Sequence, residues 1–310
     1  MYKFVIKRLL LTLLVLIGVA FIVFTILALT PGDPGRLILG ENAAQEDVDR
    51  LNAEFGLDRP FFVRFFSYIF NIVTRFDFDR SYVTGAPVFD EIWARFPITV
   101  RLAVLSILCS SVLGVSLGVL SAVKQYSLAD VSSTITALFL AAMPGFWFSL
   151  MMIYVFALGF RILPSYGVAN WKGYVLPVAA MTLTGSAGII RLTRSAMLET
   201  IRMDYIRTAR AKGAPEWKVI FMHALRNALM PIVTYMGTKF GALLGGTIVT
   251  ETVFAIPGLG THIINAIRQR NMPVVLASTL FLATLYCLII LLVDIIYAFL
   301  DPRVKARYMN

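Results

Sequence analysis

The stretch LLLTLLVLIGVAFIVFTILAL, Leu9–Leu29, contains 21 consecutive residues without a charge. At a helical rise of about 1.5 Å per residue, it is long enough to cross the roughly 30 Å hydrocarbon core of a bilayer. Lys3, Lys7 and Arg8 precede it, as in a signal peptide, but the apolar run is longer than a signal peptide's core and no small-residue cleavage site follows. We therefore interpret it as a retained first transmembrane helix.

The composition of the whole chain agrees with a membrane protein. Of its 310 residues, 58% are hydrophobic and only 15% are charged, whereas globular chains carry about 25% charged residues. The mean hydropathy is +0.78. These values exclude both an ordinary soluble domain and a disordered chain.

Further apolar runs without acidic residues follow the first. The run with Pro144 near its middle is 30 residues long, so we expect a helix of normal length with a kink or a flanking turn there. The sequence predicts an all-α integral membrane protein with six spans. The five later spans are Leu102–Val123, Val131–Phe160, Gly173–Ile190, Ala228–Thr250 and Met272–Val293.

The distribution of charge predicts the orientation. The segment Arg191–Arg226 holds eight basic residues against three acidic ones, and both chain termini are basic. Six spans place these three regions on one face, which the positive-inside rule makes cytoplasmic. The long segment Thr30–Pro97 carries seven basic and eleven acidic residues and is expected outside.

Motifs of catalysis are absent or have a simpler explanation. The chain has neither a G-x-x-x-x-G-K-[ST] phosphate loop nor an H-E-x-x-H zinc motif. The segment Gly114–Gly118 matches the G-x-S-x-G pattern of hydrolases, but it lies inside an apolar span without a histidine at the same depth. We interpret Gly114 with Gly118, and likewise Gly241 with Gly245, as small residues that allow helices to pack closely.

The basic segment between the fourth and fifth spans has the pattern of a helix, a turn and a second helix. Asp204 is a plausible N-cap, Tyr205–Lys212 is rich in helix-forming residues, and Gly213 is a natural stop. Pro215 and Glu216 can then start a helix that enters the membrane. A short exposed helix with small and basic residues suits docking into a groove of another protein. A merely solvated positive loop is the alternative.

The residues of this segment resemble the cytoplasmic signature loop of ATP-binding-cassette (ABC) importer permeases. The run DYIRTARAKG, Asp204–Gly213, followed by HALRNALMP, His223–Pro231, is similar to the dipeptide/oligopeptide/nickel branch, B-type subunit. The general pattern E-A-A-x-x-x-G then I-x-L-P is only partly met, because Arg207–Ala209 replace E-A-A and His223–Arg226 replace I-x-L-P. This departure is itself typical of the peptide branch.

Further motifs extend the resemblance over nearly the whole chain. They are Pro31–Pro34 (PGDP), Phe55–Asp58 (FGLD) with Pro60, Glu251–Gly260 (ETVFAIPGLG), Val293-Asp294 with Tyr297, and Asp301–Arg303 (DPR).

The resemblance implies a type I ABC importer permease in a bacterial plasma (inner) membrane. Its implied partners are a second homologous permease subunit, two cytoplasmic ATPase subunits that bind ATP and Mg²⁺, and an extracytoplasmic substrate-binding protein. The chain itself is expected to bind no cofactor or metal and to have no catalytic residue. The implied parts are an N-terminal helix (1–30), an extracytoplasmic segment (31–97), a five-helix transport domain (98–300) with its coupling loop at about 195–227, and a cytoplasmic tail (301–310). The residues expected to couple to an ATPase are Asp204, Tyr205, Arg207, Thr208, Ala209, Arg210, Lys212, Gly213 and Glu216.

Charges within the spans are candidates for the translocation path, because such charges are costly. Lys239 lies about 16 Å into its span by the helical rise and faces either a substrate path or an internal ion pair. Arg101 and Glu251 lie near outer ends, where extension to the lipid headgroups is the simpler explanation. Asp294 either pairs with a basic residue or has a structural role.

The substrate class stays open at this point. Peptides are the first expectation, and glutathione or nickel chelates are the alternative for similar machinery. A stand-alone secondary transporter would need no coupling helix and would often show matching half-repeats, which are not visible. An intramembrane hydrolase would need a Ser–His pair at one depth, which is absent.

Overall fold

The structure is a computed structural model that describes residues 2–300. The predicted cytoplasmic tail, 301–310, lies outside the described residues. Within them the chain forms α-helices, two π-helical segments and one isolated β-bridge. The helices are α1 Tyr2–Leu29, α2 Pro34–Leu39, α3 Gln45–Glu54, α4 Phe61–Arg75, α5 Val88–Val123, α6 Leu128–Ala142, α7 Gly145–Met152, α8 Trp171–Ile201, α9 Asp204–Ala211, α10 Glu216–Lys218, α11 Arg226–Val253, α12 Leu259–Arg268 and α13 Met272–Leu300. The π-helical segments are Ile153–Gly159 and Val219–Leu225.

Five helical stretches are long and apolar enough to cross a membrane. Four of the six predicted spans fall inside these stretches. The predicted span Ala228–Thr250 runs past Gly245 but lies within α11, and the run Val131–Phe160 is not among the five. The five stretches are Arg8–Leu29, Val88–Val123, Trp171–Ile201, Glu216–Gly245 and Met272–Ile296. The prediction of six helical spans therefore depends on how the third apolar run folds.

The third run folds as a broken pair of helices. Helix α6 and the stretch Gly145–Gly159 meet at an angle of 102°, so the expected helix of normal length with a kink does not form. Pro144 precedes α7 as its N-cap, and the residue before a proline is disfavoured in helical conformation. Met143 is accordingly extended, with ψ of 129°. Counted as one span, the pair brings the total to six.

The chain divides into two compact units. Among the described residues, the first comprises 100–256 and 288–300, and the second comprises 2–99 and 257–287. Helix α5 is continuous from Val88, so the expected boundary between 97 and 98 falls inside a helix rather than at a linker. The second unit also includes α12, which sequence reasoning assigned to the transport domain.

Helix α8 forms the centre of the first unit. Its predicted span, Gly173–Ile190, is rich in Gly, Thr and Pro, and the structure explains this composition, because 13 residues of the helix are buried. A Cβ atom at Gly114 of α5 would lie 2.6 Å from Ile189 of α8, and one at Gly118 would lie 2.5 Å from Thr193. The packing interpretation of this glycine pair is therefore confirmed. Gly245 differs, since a Cβ there would meet nothing within 4 Å.

The second unit is built around aromatic contacts between α1 and α4. Phe24 of α1 and Phe65 of α4 are buried together with Ala20 and Leu276. The rings of Phe24 and Phe61 meet edge to face, with centroids 5.2 Å apart. Such pairs add roughly 0.5–1.5 kcal/mol to the gain from burial alone. The packing holds α4 against the N-terminal helix.

Candidate functional site

Helix α9 begins at Asp204, one residue earlier than expected. Met203 is the N-cap residue and makes no side-chain capping bond, while Asp204 is the first helical residue. The prediction that Asp204 caps the helix is therefore wrong. Its side chain is 96% exposed and lies 3.6 Å from Nη1 of Arg207, one turn further on. A carboxylate in the first turn still stabilises a helix through the helix dipole.

Helix α9 ends at Ala211, and Gly213 terminates it as predicted. The Gly213 amide donates to the Arg210 carbonyl at 2.9 Å, and the Ala214 amide donates to the Ala209 carbonyl at 3.2 Å. These two bonds form a Schellman motif, whose turning residue is left-handed. Gly213 has φ of +78°, and a Cβ at this position would meet nothing within 4 Å. The left-handed backbone conformation, and not crowding, favours glycine at this position.

One buried side chain anchors α9 to the first unit. Ile206 is fully buried, and Ala209 is partly buried against the same core. Sequence reasoning placed Ala209 on the docking surface, but it packs inward. We call this core the α9 cluster, and its buried members are Val119, Ala122, Ile189, Met197, Ile206, Val219, Ile220, Ala224, Ala228 and Ile232.

The outward face of α9 is polar and basic. Its exposed residues are Asp204, Tyr205, Arg207, Thr208, Arg210, Ala211 and Lys212, and Gly213 follows them. The Thr208 hydroxyl donates to the Asp204 carbonyl at 3.0 Å, so this hydroxyl is bonded to the backbone of its own helix. The structure thus groups most of the predicted coupling residues on one accessible surface, with Ala209 as the exception.

An ion pair joins the end of α9 to the start of the next helix. Nε of Arg210 lies 3.2 Å from Oε2 of Glu216, and Nη2 lies 2.6 Å from Oε1, so the contact is bidentate. The predicted second helix begins at Glu216, and Pro215 is its N-cap residue and not part of its first turn. From Glu216 the chain continues through α10, the π-helical segment and α11 to Val253. The ion pair therefore connects α9 to the start of a long helical stretch.

A second ion pair, which the sequence analysis did not identify, joins α8 to α6. Nε and Nη2 of Arg194 on α8 donate to the two carboxylate oxygens of Asp130 on α6 at 2.7 and 2.8 Å. The Asp130 carboxylate also accepts from the Ser121 hydroxyl at 2.5 Å and from the Tyr126 amide at 2.9 Å. Asp130 is buried, with 5% of its side chain exposed. The pattern Ser127-x-x-Asp130 at the start of α6 was the available signal, since it marks a helix N-terminus.

The charged residues of the spans differ in their surroundings. Lys239 is exposed, and its Nζ lies 5.5 Å from the centre of the Tyr235 ring. No acidic side chain lies within salt-bridge distance of Lys239 in the part of the chain that the structure describes, which removes an internal ion pair there. Glu251 is fully buried, so its expected extension toward lipid headgroups is wrong. Arg101 is exposed and Asp294 is half-buried.

Two family models together match almost the whole chain. The model described as "Binding-protein-dependent transport system inner membrane component" matches residues 114–306. The N-terminal model described as "Binding-prot-dependent transport system membrane comp, N-term" matches residues 1–103. The α9 loop therefore lies within the matched region.

Curated relatives are similar over their full length. The dipeptide transport system permease protein DppB of Alkalihalophilus pseudofirmus is 38% identical over 98% of this chain and 100% of the relative. A putative peptide transport system permease protein of Brucella abortus is 37% identical over 98% and 99%. The glutathione transport system permease protein GsiC of Escherichia coli is 38% identical over 99% and 100%.

A solved structure supports the fold alone. A chain of an amino acid ABC transporter, crystallised with histidines, aligns with a TM-score of 0.52 and 15% sequence identity. The alignment covers 69% of this chain and 94% of the other. The expected type I ABC permease architecture is confirmed at this level.

Proposed function

The chain belongs to the family of inner membrane components of binding-protein-dependent transport systems, and we propose that it is the permease subunit of an ATP-driven peptide importer. In this role it forms half of a translocation pathway together with a second, homologous permease subunit. Two cytoplasmic ATPase subunits supply the work and hold ATP and Mg²⁺. A binding protein delivers the substrate from the opposite side of the membrane.

The geometry of α9 is the observation that supports this role most strongly. The helix exposes a basic face, and its inner face is seated on the α9 cluster through Ile206. The cluster also contains Met197 of α8 and Ile232 of α11. A partner that moves α9 therefore acts on both neighbouring spans at once, as a rigid-body transition requires.

The charge of the exposed face indicates the chemistry of the docking partner. Arg207 has 76% of its side chain exposed, and among the described residues its one ion-pair contact is with Asp204 at 3.6 Å. Lys212 is also exposed. We therefore expect an acidic rim on the ATPase groove that receives α9. Arg207→Glu should weaken the coupled ATP hydrolysis of the purified complex, and the loss should shrink as salt concentration rises, because exposed charge pairs are screened.

The orientation follows from the same assignment. We place both termini and the α9 loop in the cytoplasm and the segment 31–97 outside. An impermeant thiol reagent added to intact cells should label a cysteine introduced at Asp47 and should not label one introduced at Lys212. Labelling of the Lys212 position in sealed cells contradicts this orientation.

Peptides are the proposed cargo because relatives named for dipeptide and peptide transport align over the full chain. Glutathione is the second candidate, since a glutathione permease is equally similar. Nickel chelates are a weaker candidate, because no group of His, Cys, Asp or Glu that could hold a metal occurs among the described residues.

Lys239 is the strongest candidate for a contact with the cargo. It is exposed in this chain near the middle of α11, and its ammonium lies over the Tyr235 ring. Lys239→Met should reduce uptake of peptides with a free carboxylate more than uptake of amidated peptides, while subunit assembly stays normal. Lys172→Met is the matched control, since Lys172 also lies over an aromatic ring, that of Trp171 at 6.0 Å. Equal uptake of all peptides by the Lys239 variant restricts Lys239 to a structural role. Arg101, Glu251 and Asp294 remain secondary candidates.

Purification of the complex tests the proposed function. ATPase subunits should co-purify with this chain, and proteoliposomes should take up a dipeptide only with ATP and the binding protein. A stand-alone secondary transporter predicts uptake without either. Uptake of glutathione or of a nickel chelate in preference to peptides transfers the assignment to that cargo.

A further inference from the structure

A polar cavity lies in the second unit, and none of its lining residues belongs to α9 or to the candidates for the translocation path. It has a volume of about 200 Å³ and lies between α4, the loop that follows α4, and the start of α13. Its size is below the roughly 300–1,000 Å³ of pockets for drug-sized ligands. A single amino acid or a very short peptide is the largest occupant that fits.

The cavity has positive charge on one side. Arg59 and Arg64 line it, and neither has a carboxylate within salt-bridge distance among residues 2–300. The contacts of Arg64 are with a thioether and an aromatic ring. Its Nη2 lies 3.6 Å from the Met272 sulfur, and its guanidinium lies 5.5 Å from the centre of the Phe24 ring. A guanidinium prefers a bidentate carboxylate partner, so this side of the cavity suits one.

Negative charge lies on the loop side. Asp77 and Asp79 line the same cavity. The Asp79 carboxylate accepts only the neighbouring Arg80 amide, at 2.7 Å, among the hydrogen bonds of the described chain. Partial desolvation by the surrounding chain, with a smaller contribution from the charge of Asp77, raises the pKa of the Asp79 carboxyl, and the Arg80 hydrogen bond offsets this only in part. An ammonium group beside Asp79 would supply the missing positive charge.

A tyrosine hydroxyl in the cavity wall also lacks a partner. The Tyr68 hydroxyl is buried and makes no hydrogen bond within residues 2–300. A buried polar group without a partner is costly, and such a group commonly marks a site for a ligand or water. Burial, and secondarily the charge of Asp79, raises the pKa of Tyr68 well above its usual range and that of Tyr82 to about 12. Both hydroxyls are therefore protonated and can donate.

The wall that carries these groups is fixed in place. The Tyr82 ring stacks on Phe55 with centroids 4.0 Å apart. The Tyr82 amide donates to Oδ1 of Asn271 at 3.1 Å, and Nδ2 of Asn271 donates to the Ser81 hydroxyl at 2.8 Å. Asn271 is itself buried. The cavity is thus a preorganised site and not a gap beside a mobile loop.

We propose that this cavity binds a small zwitterion, an α-amino acid or the end of a short peptide, with its carboxylate at Arg64 and its ammonium at Asp79. The Tyr68 hydroxyl donates a further hydrogen bond to the carboxylate. Phe24, Met272 and Leu276 complete the wall and accept an aliphatic side chain. Such a site shares no residue with the candidates for the translocation path and is a second binding site of the protein. The site stands apart from the proposed transport function, because its test measures binding and not uptake.

Direct binding to the full-length chain in lipid nanodiscs tests the site. Tritiated L-leucine and glycyl-L-leucine are the probes, and leucinamide and N-acetyl-leucine are competitors that each lack one charge. We expect saturable binding of at least one probe and competition that is at least tenfold weaker for both single-charge analogues. If glycyl-leucine binds and leucine does not, the occupant is a peptide end; the reverse identifies a free amino acid. Absence of saturable binding of both probes overturns the proposal.

Variants connect the binding to the cavity. Asp79→Asn and Arg64→Gln should each weaken binding at least tenfold, and Tyr68→Phe should weaken it about threefold without a change in thermal stability. Asp58→Asn and Arg75→Gln are the matched controls, since both residues are exposed in the same unit and outside the cavity wall. Because Arg64 also packs on Phe24 and Met272, Arg64→Lys serves as the variant that keeps the fold. Unchanged affinity in both Asp79→Asn and Tyr68→Phe contradicts the proposed site.

Discussion

Two regions of the first unit depend on a glycine for different reasons. We call the packing of α5 and α6 on α8 the scaffold, and residues 204–213 the α9 loop. A Cβ at Gly118 would lie 2.5 Å from Thr193 and 2.8 Å from the Ile190 carbonyl oxygen, so crowding requires glycine. At Gly213 the surroundings are open, and the left-handed backbone favours glycine over residues with a branched side chain. The scaffold is therefore specified by packing and the loop by conformation.

The same contrast holds for the ion pair in each region. Asp130 and Arg194 have 5% and 29% of their side chains exposed, whereas Arg210 and Glu216 have 41% and 57% exposed. Removal of one partner of a buried pair strongly lowers the free energy of unfolding, because the other charge is left buried without a counter-charge. An exposed pair contributes little to stability and acts mainly on orientation. The ion pair of the scaffold therefore contributes to stability, whereas the ion pair of the α9 loop mainly orients an exposed surface.

Removal of the buried carboxylate should produce the largest effect. Asp130→Asn leaves the Arg194 guanidinium without its counter-charge and should lower the free energy of unfolding by about 3 kcal/mol. Thermal unfolding of the purified chain in detergent measures the loss. Asp204→Asn is the control, since Asp204 is almost fully exposed. Equal stability of the two variants would break the contrast between the regions.

Crowding at the scaffold glycine should give the next largest effect. Gly118→Ala forces α5 away from α8 and should cost roughly 1–3 kcal/mol, the range of overpacked cores. Gly245→Ala, at a site with nothing within 4 Å, should be neutral or slightly stabilising because alanine favours a helix. If both alanine variants unfold at the same temperature, crowding does not explain Gly118.

Strain at the loop glycine should be smaller and local. Gly213→Val places a β-branched residue at φ of +78° and should cost roughly 1–2 kcal/mol. Hydrogen exchange should accelerate in α9 and remain unchanged in α8. Gly213→Asn is the control, because asparagine tolerates the left-handed region. Uniform acceleration throughout the first unit disagrees with a local effect.

The exposed pair should contribute least to stability. Arg210→Gln should change the free energy of unfolding by at most about 0.5 kcal/mol. It should nevertheless loosen the junction between α9 and α10, since it removes both bonds to Glu216. Denaturant unfolding and hydrogen exchange at residues 210–218 separate the two consequences. A loss above about 1 kcal/mol would show that this pair is structural.

The sequence was sufficient for features that depend on local chemistry. Charge-free runs predicted α1 and α13, and the glycine stop predicted the turn at Gly213. The sharp break between α6 and α7 was only partly foreseen, because Pro144 marks a boundary without specifying the 102° angle. The cap of α9 was displaced by one residue, a difference that local preferences do not resolve.

Features that depend on tertiary contacts were not predictable. The Asp130–Arg194 pair joins residues 64 positions apart, and only the packing of α6 on α8 brings them together. Burial of Glu251 likewise depends on the surrounding helices and contradicts the expectation from its place near a span end. The cavity beside Tyr68 combines residues from α1 to α13 of the second unit, and no single motif marks it.

The central claim is that α9 transmits the work of ATP hydrolysis to the spans, and Gly213→Val in the purified complex tests it most directly. The measurements are dipeptide uptake and ATP hydrolysis in proteoliposomes, with subunit stoichiometry determined in parallel and Gly213→Asn as the control. We predict a fully assembled Gly213→Val complex that has lost uptake and has weakened or uncoupled ATP hydrolysis, beside a nearly normal Gly213→Asn complex. Full uptake with substrate-stimulated ATP hydrolysis in Gly213→Val would show that the α9 loop is not the coupling element.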